Sequence, residues 1–133
     1  RPKLGQLIFS SEEMRYQSAE IQGKIIREEL AAKRDCLAKE EDVFFMDIPL
    51  LFENDYQDWF DQIWLVAVSP QVQCQRLMKR NHLSAEEAGM RIASQMPLAE
   101  KLPYASLVID NNGNIDDLKK KVKGAIKDLA NLV

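Results

Sequence analysis

Asp47 is the first residue in this sequence whose type and position suggest chemistry. It follows Val43-Phe44-Phe45-Met46, an apolar run rich in β-formers that predicts a buried strand. A carboxylate at a strand end could hold Mg²⁺ through water, because magnesium prefers oxygen ligands and keeps several waters. The alternative is a solvated strand end, in which Leu50, Leu51 and Phe52 belong to the core. The pattern alone leaves both interpretations open.

A cluster of basic residues is the second candidate for chemistry. Arg76, Lys79, Arg80 and Arg91 surround the short segment Asn81-His82-Leu83-Ser84. Like charges four residues apart, as at Arg76 and Arg80, destabilise a helix slightly unless an anion is shared. Guanidinium groups suit phosphate oxygens and can offset charge during phosphoryl transfer. The cluster therefore suggests a phosphate-contacting helix–loop–helix, and the alternative is a solvated helix face bridged to neighbouring glutamates.

A third polar segment, Asp110-Asn111-Asn112-Gly113, follows the apolar run 107–109. Its side-chain amides and backbone N–H groups could contact the edge of a nucleotide base. A plain turn explains the segment equally well, because Asn-Gly strongly favours turns. The single histidine, His82, is interpreted as a loop residue, since no nucleophile or orienting acid is visibly paired with it.

The elements that must position these residues follow an alternating pattern. Apolar runs at 43–46, 63–68 and 107–109 predict three strands, each separated from the next by helical sequence. This alternation favours an α/β fold with a parallel sheet and helices on both faces. In such folds ligands bind beyond the carboxyl ends of the strands. Those ends are Asp47, Ser69 and Asp110.

The helices carry recognisable start signals. Ser10 and Ser11, with Glu12 and Glu13, mark the start of a predicted helix over 11–40, and Ser69-Pro70 predicts an N-cap followed by proline in the first turn. Ser84-x-x-Glu87 matches a capping box. The last helix is the most periodic element, with apolar residues at three- and four-residue steps from Ile115 to Val133.

Composition limits the classes of protein that fit. The 133 residues allow one modest domain. The net charge of −3 gives no support for capture of nucleic acid or anionic lipid by the whole surface. No stretch approaches the ~20 apolar residues of a membrane span, so we expect a cytoplasmic protein. Cys36 and Cys74 lack C-x-x-C spacing and are interpreted as reduced, inert thiols.

Four segments together resemble the dephospho-coenzyme A kinase family. They are DIPLLFE at 47–53, SPQVQ at 69–73, LMKRNHLSAEEAGMRIASQMPLAEK at 77–101 and VIDNNG at 108–113. Their order and spacing match the family pattern. The likeness covers residues 40–133 and extends loosely through 1–9.

The resemblance implies a P-loop, nucleoside-monophosphate-kinase-like α/β fold with a short helical lid. It implies transfer of the γ-phosphoryl group of ATP to the ribose 3′-hydroxyl of dephospho-CoA, with Mg²⁺, as the last step of coenzyme A synthesis. The expected partners are dephospho-CoA and ATP, with neither nucleic acid nor membrane.

The same resemblance implies roles for individual residues. Arg80 and Arg91 would belong to the lid and act in catalysis. The acceptor would lie near Asp47, Pro49, Leu50, Leu51, Phe52 and Glu53, with Asp47 also near the metal through water. The bound nucleotide would lie near Lys79, Gln95, Lys101, Asn112 and Gly113.

The resemblance also implies how the chain is organised. We expect a single domain over 1–133, in which 1–42 is a helical segment on the acceptor side. Residues 43–75 and 102–133 would form the core, and 76–101 a lid-like helix–loop–helix.

One family motif is missing from the sequence. No G-x-x-x-x-G-K-S/T occurs in it, and its five glycines are isolated, so nothing here can cradle the α- and β-phosphates in backbone N–H groups. The family's acidic segment after that loop, expected to supply the catalytic base, has no counterpart either. Because the chain also opens on Arg1-Pro2, we expect a piece of a kinase whose N-terminal strand and phosphate loop are absent, inactive by itself.

Two other functions compete with this interpretation. The first is a non-catalytic α/β module for nucleotide binding or interaction, which never had the phosphate loop. The second is a kinase for another nucleotide-like acceptor, and turnover with dephospho-CoA against nucleoside monophosphates would separate it from the leading hypothesis.

Overall fold

A computed structural model of the protein describes residues 12–132. The chain divides into two compact units at the bond between Asp47 and Ile48. The predicted helix start at Ser10 and Ser11, and the likeness at 1–9, lie outside the described residues.

The first unit is dominated by one long helix, α1, which spans Glu12–Glu40. It confirms the helix predicted over 11–40. Leu30, Ala31 and Leu37 are half-buried in its second half, whereas the isoleucines of its first half are more than half exposed. The predicted packed face is therefore present only towards the end of the helix.

The strand predicted at 43–46 is wrong for the described structure. Residues 44–48 have no regular secondary structure, and the sheet found between residues 12 and 132 has two strands, neither of which includes this segment. Phe45 is 57% exposed. Apolar and aromatic residues favour a strand only where a neighbouring backbone is available to pair with. Composition alone was therefore insufficient evidence for a strand here.

The second unit contains two parallel strands, β1 at Trp64–Ala67 and β2 at Leu107–Asp110. Trp64 lies opposite Leu107, and Ala67 lies opposite Asp110. Parallel neighbours need a long crossover connection, and here the crossover is helical. The strands predicted at 63–68 and 107–109 are confirmed, as is the α/β class.

Short helices fill the crossover between the strands. In chain order these are α2 at Pro70–Asn81, α3 at Ala85–Ala93 and α4 at Leu98–Lys101. Single 3-10 turns lie at Gln57–Trp59, before β1, and at Leu102–Tyr104, before β2. The final helix, α5, spans Ile115–Leu132.

The predicted caps explain why these helices begin where they do. The Ser69 hydroxyl accepts a hydrogen bond from the N–H of Val72 at 3.4 Å. The Ser84 hydroxyl accepts from the N–H of Glu87 at 3.1 Å, and the Glu87 carboxylate accepts from the N–H of Ser84 at 3.2 Å, which completes the capping box. His82 ends α2 in the left-handed region at φ 54°. Each cap satisfies backbone groups that the helix leaves without partners.

Among residues 13–132, the most buried apolar side chains all belong to the second unit. They are Phe52, Tyr56, Ala88 and Ile109, from the loop before β1, from α3 and from β2. The Tyr56 ring meets Trp59 edge-on, with centroids 4.7 Å apart. None of the helices described between residues 12 and 132 is long and apolar enough to cross a bilayer.

Candidate functional site

The carboxyl ends of the two strands are joined by one side chain. Asn112 Oδ1 accepts a hydrogen bond from the backbone N–H of Ser69 at 2.8 Å, and Asn112 Nδ2 donates to Asp110 Oδ1 at 2.8 Å. The amide predicted to contact a nucleotide base is thus engaged in holding the end of β1 against the turn after β2. It retains one free lone pair on Oδ1 and one N–H for a ligand.

Asp110 is stabilised as a carboxylate by this arrangement. Its Oδ1 atom accepts hydrogen bonds from the backbone N–H of Asn112 at 2.7 Å and from the Asn112 side chain. The backbone hydrogen bond, outweighing slight desolvation, lowers the pKa of Asp110, and the Asn112 side chain and the Lys121 ammonium lower it further. The strand end therefore carries a fixed negative charge at neutral pH.

Arg76 on α2 holds the same turn from the other side. Its guanidinium donates to the carbonyl oxygen of Asn111 at 2.6 Å and to that of Gly113 at 2.9 Å. A β-carbon on Gly113 would lie 2.7 Å from Asp117 Oδ2, so glycine lets the turn approach the start of α5 closely. These carbonyls engage the Arg76 guanidinium, and an anion shared between Arg76 and Arg80 stays a prediction.

The loop that follows Ile48 is an ordered series of turns. Leu50 and Asp55 adopt positive φ angles of 58° and 59°. The backbone N–H groups of Asn54 and Tyr56 donate to the carbonyls of Leu50 and Leu51 at 3.1 and 2.9 Å. Phe52 is 8% exposed. Leu50, Leu51 and Phe52 were predicted either to contact the acceptor or to belong to the core, and of these Phe52 is buried while Leu50 is 42% exposed.

Glu53 connects this loop to the end of the predicted lid. Its Oε2 atom accepts a hydrogen bond from the backbone N–H of Met96 and forms an ion pair with Lys101 Nζ, both at 3.3 Å. Two residues predicted to bind different substrates are therefore in direct contact. The Glu53 and Lys101 side chains are only 20% and 15% exposed, so this is a largely shielded pair.

The Glu53 carboxylate is held in its charged form. Burial raises the pKa of Glu53, but hydrogen bonds from its own backbone N–H, from Lys101 and from Met96, with the Lys101 charge, outweigh burial and place the pKa below its usual 4.5. Its second oxygen, Oε1, is buried without a hydrogen-bond partner among the described residues, as is Gln57 Oε1.

The predicted lid arginines lie on the exposed surface of α2 and α3. Arg80 donates to the side chain of Asn81 at 2.8 Å. The Arg91 guanidinium makes no hydrogen bond or ion pair with any residue between 12 and 132, and its carbonyl accepts from Ser94 Oγ at 2.7 Å. Lys79 and Gln95 are exposed as well. All four side chains are therefore accessible to a ligand from solvent.

Asp47 is an exposed residue at the end of the first unit, and Pro49, also exposed, begins the turn of the second. No group of three or more metal-ligating side chains occurs in the part of the chain that the structure describes. A single exposed carboxylate suits Mg²⁺ only in the manner common at phosphate sites, where one or two carboxylates are supplemented by waters and substrate phosphates. Asp47 fits that role, and residues 12–132 contain no preformed metal cage.

An open groove in the second unit is lined in part by Asp110 but by none of the predicted lid residues. Its volume is about 570 Å³, and it lies between β2 and α5. Trp64, Leu107, Ile109 and Leu129 form much of its wall, with Lys120 at one side. The candidate site is the set of strand ends, loop and predicted lid described above, and this groove adjoins it at Asp110.

Sequence reasoning missed three contacts that shape the site. The Ser69 N–H, the Arg76 guanidinium and the Met96 N–H each bind a partner at least 35 residues away. Only Arg76 carried a signal, because its like-charge spacing with Arg80 implied that another group must be bound nearby. Backbone donors such as Ser69 and Met96 give no signal in a sequence.

Comparison with known families identifies the chain's relatives. The model of the dephospho-CoA kinase family matches residues 1–117. A dephospho-CoA kinase of Streptococcus thermophilus (strain CNRZ 1066) is 99% identical over all 133 residues, which span 68% of that protein. One from Streptococcus pyogenes serotype M3 (strain ATCC BAA-595 / MGAS315) is 58% identical over 131 residues, which are 98% of this chain and 66% of that protein. The chain thus spans about two thirds of the length of these relatives.

Solved structures agree with the sequence matches. The dephospho-CoA kinase from Campylobacter jejuni superposes with a TM-score of 0.74 at 28% identity, over 97% of this chain and 64% of that one. The crystal structure of a Thermus thermophilus protein gives a TM-score of 0.73 at 32% identity, over 97% and 66% of the two chains. These likenesses confirm the kinase fold that the resemblance implied. With the family match over most of its length, the chain belongs to the dephospho-CoA kinase family.

Proposed function

We propose that this chain supplies the lid and acceptor side of an enzyme that transfers the γ-phosphoryl group of ATP to the ribose 3′-hydroxyl of dephospho-CoA. The family match over residues 1–117 carries the proposal. The geometry supports it, because polar groups gather beyond the carboxyl ends of β1 and β2, where α/β folds bind ligands.

The nucleotide would lie beside the turn at Asn112 and Gly113. Arg76 and Ser69 hold this turn in place through 2.6–2.9 Å hydrogen bonds. A turn whose backbone is fixed before the ligand arrives loses less entropy when it binds. The remaining lone pair and N–H of the Asn112 amide are the groups available to a base.

Arg80 and Arg91 would contact the phosphates. Both are exposed, and neither guanidinium is committed to a carboxylate in the described structure. Guanidinium groups free to reach a phosphate can stabilise the charge that develops during phosphoryl transfer. Lys79 and Gln95 lie on the same segment and would act less directly.

The acceptor would contact the loop at 48–53, and Mg²⁺, bound to the ATP phosphates, would be held in part by Asp47 through water. The metal would neutralise charge on the phosphates. Leu50, which is 42% exposed in a fixed left-handed turn, offers the acceptor an apolar contact. Cytoplasmic location fits such an enzyme and is part of the proposal.

A coupled assay with ATP, Mg²⁺ and dephospho-CoA tests the proposal on the full-length Streptococcus thermophilus relative. We expect phosphorylation of dephospho-CoA and much lower rates with nucleoside monophosphates. We expect no turnover from the 133 residues alone, since these contain no phosphate-cradling G-x-x-x-x-G-K-S/T. Preferred turnover of a nucleoside monophosphate would refute the proposed acceptor.

That missing motif also favours a second candidate for the 133 residues taken alone, a nucleotide-binding module without catalysis. Equilibrium dialysis of the 133 residues with ATP tests this second candidate. Binding without turnover by the isolated chain, with turnover by the longer relative, would mean that both descriptions hold for different lengths of chain.

A further inference from the structure

The Glu53 carboxylate contacts both ends of one short helix. It accepts a hydrogen bond from the backbone N–H of Met96, which lies just before α4. It also forms an ion pair with Lys101, the last residue of α4. These partners are 43 and 48 residues away in the sequence. One oxygen atom therefore holds the carboxyl-terminal end of the segment 76–101 on the loop that contains Glu53.

The loop that carries Glu53 is a firm base for such an anchor. Two backbone hydrogen bonds span Glu53 in the chain, from the N–H of Asn54 to the carbonyl of Leu50 and from the N–H of Tyr56 to the carbonyl of Leu51. Tyr56 is 4% exposed. A second contact supports the ion pair. The ring centroids of Phe52 and of Tyr104, just beyond α4, are 5.9 Å apart.

The other end of the segment 76–101 is anchored as well. Arg76 donates to the carbonyls of Asn111 and Gly113. The exposed arginines at 80 and 91 lie between these two anchors in the chain. The middle of the segment 76–101 can move while its two ends stay fixed. The fixed ends limit the positions that Arg80 and Arg91 can reach.

We infer that Glu53 and Lys101 are positioning residues that anchor the carboxyl-terminal base of the lid, so that Arg91 reaches the transferred phosphate in one geometry. This inference rests on the proposed function. It assigns Lys101 to the anchor and not to direct contact with the nucleotide. The low exposure of the pair decides how strongly it can hold the lid. An exposed ion pair contributes little stabilisation, whereas removing one partner of a shielded pair leaves the other charge without a partner.

The test is a double-mutant cycle in the full-length Streptococcus thermophilus relative, with residues numbered as in this chain. The variants are Glu53→Gln, Lys101→Met and the two combined, with Glu100→Gln, an exposed carboxylate on the same α4, as the matched control. We expect each single variant to lower kcat about 10- to 100-fold, as small misplacements of catalytic groups do, with KM for both substrates within about threefold. The double variant should lose no more than either single one, because both remove the same interaction.

Hydrogen exchange at the Met96 amide separates anchoring from general loss of stability. In a further variant, Glu53→Met, which removes both carboxylate oxygens, we expect this amide to exchange about tenfold faster, with melting temperatures recorded to show that the variants are folded, and no change in Glu100→Gln. Losses of kcat that multiply in the double variant, or exchange at the wild-type rate in Glu53→Met, would overturn the inference. If the unmodified enzyme did not turn over dephospho-CoA, the proposed function would be refuted instead. Exchange at the Met96 amide would still show whether Glu53 holds this segment.

Discussion

The side chain of Asn112 accepts a hydrogen bond from the backbone N–H of Ser69 at 2.8 Å, across 43 residues of sequence. Ser69 also caps α2, so the start of that helix and the turn after β2 are fixed to each other. The contact places two polar segments at one edge of the sheet.

Replacing Asn112 with alanine should destabilise this edge. The Ser69 N–H loses its acceptor and Asp110 loses a donor, which together cost about 1–2 kcal/mol of unfolding free energy. Chemical denaturation of the full-length relative measures the change, and Asn131→Ala, an exposed position in the last turn of α5, serves as control. Equal stabilities for Asn112→Ala and the control would show that the contact adds nothing.

Arg76→Met should lower stability and weaken ATP binding. Both carbonyl acceptors of the turn lose their donor, at a cost of about 1–2 kcal/mol, and a looser turn positions the nucleotide less well. Arg76→Lys should fall in between, because an ammonium group cannot reproduce the two-pronged geometry of a guanidinium. KM for ATP and denaturation midpoints are the measurements, with Gln75→Ala on the same helix as control. A normal KM in a destabilised Arg76→Met would restrict this arginine to a structural role.

Arg80→Ala should reduce kcat about 100- to 1000-fold, the usual effect of removing one electrostatic contact to a transition state. Its melting temperature should stay near that of the parent, because the side chain is exposed and, among residues 12–132, donates a hydrogen bond only to its neighbour Asn81. Arg91→Ala should behave similarly. Steady-state kinetics and thermal melting check both, with Arg80→Lys expected to recover part of kcat. A sharp fall in melting temperature with unchanged kcat would make Arg80 structural.

Asp47→Asn should weaken activity in a way that added Mg²⁺ relieves. The change keeps the shape and removes the charge that would hold the metal through water. Titration of Mg²⁺ at fixed ATP compares this variant with Asp42→Asn, another exposed carboxylate nearby in the chain, and with Arg80→Ala, which should show no rescue. Superimposable metal curves for Asp47→Asn and the parent enzyme would end the magnesium assignment.

Acid should remove the stabilisation that the Glu53 carboxylate provides. Its folded-state pKa is lowered below 4.5, so this contribution is complete above the unfolded pKa and disappears as pH falls through the folded one. When the pH falls from about 6 to about 3, the melting temperature should fall further for the parent than for Glu53→Gln, because the glutamine has no charge to neutralise. The exposed Asp61→Asn is the control and should follow the parent. Parallel profiles for the parent and Glu53→Gln would contradict the expectation.

Local sequence determined much of this protein. The Ser69 cap, the Ser84–Glu87 capping box and the strands β1 and β2 were all predicted and are all present. These features depend on residues within a few positions of one another, so their signals survive in a linear pattern. The motifs DIPLLFE and VIDNNG likewise sufficed to indicate the family.

Only the tertiary structure decided which side chains meet. The run at 43–46 looked like a strand but has no pairing neighbour in the described sheet. Arg76 holds the turn after β2, and Glu53 and Lys101 proved to be partners. Such contacts depend on where the backbone brings residues that are 35 to 48 positions apart. The energies of these contacts depend on the distances between the atoms, on their exposure to solvent and on the orientation of the groups. None of these can be read from the amino-acid sequence.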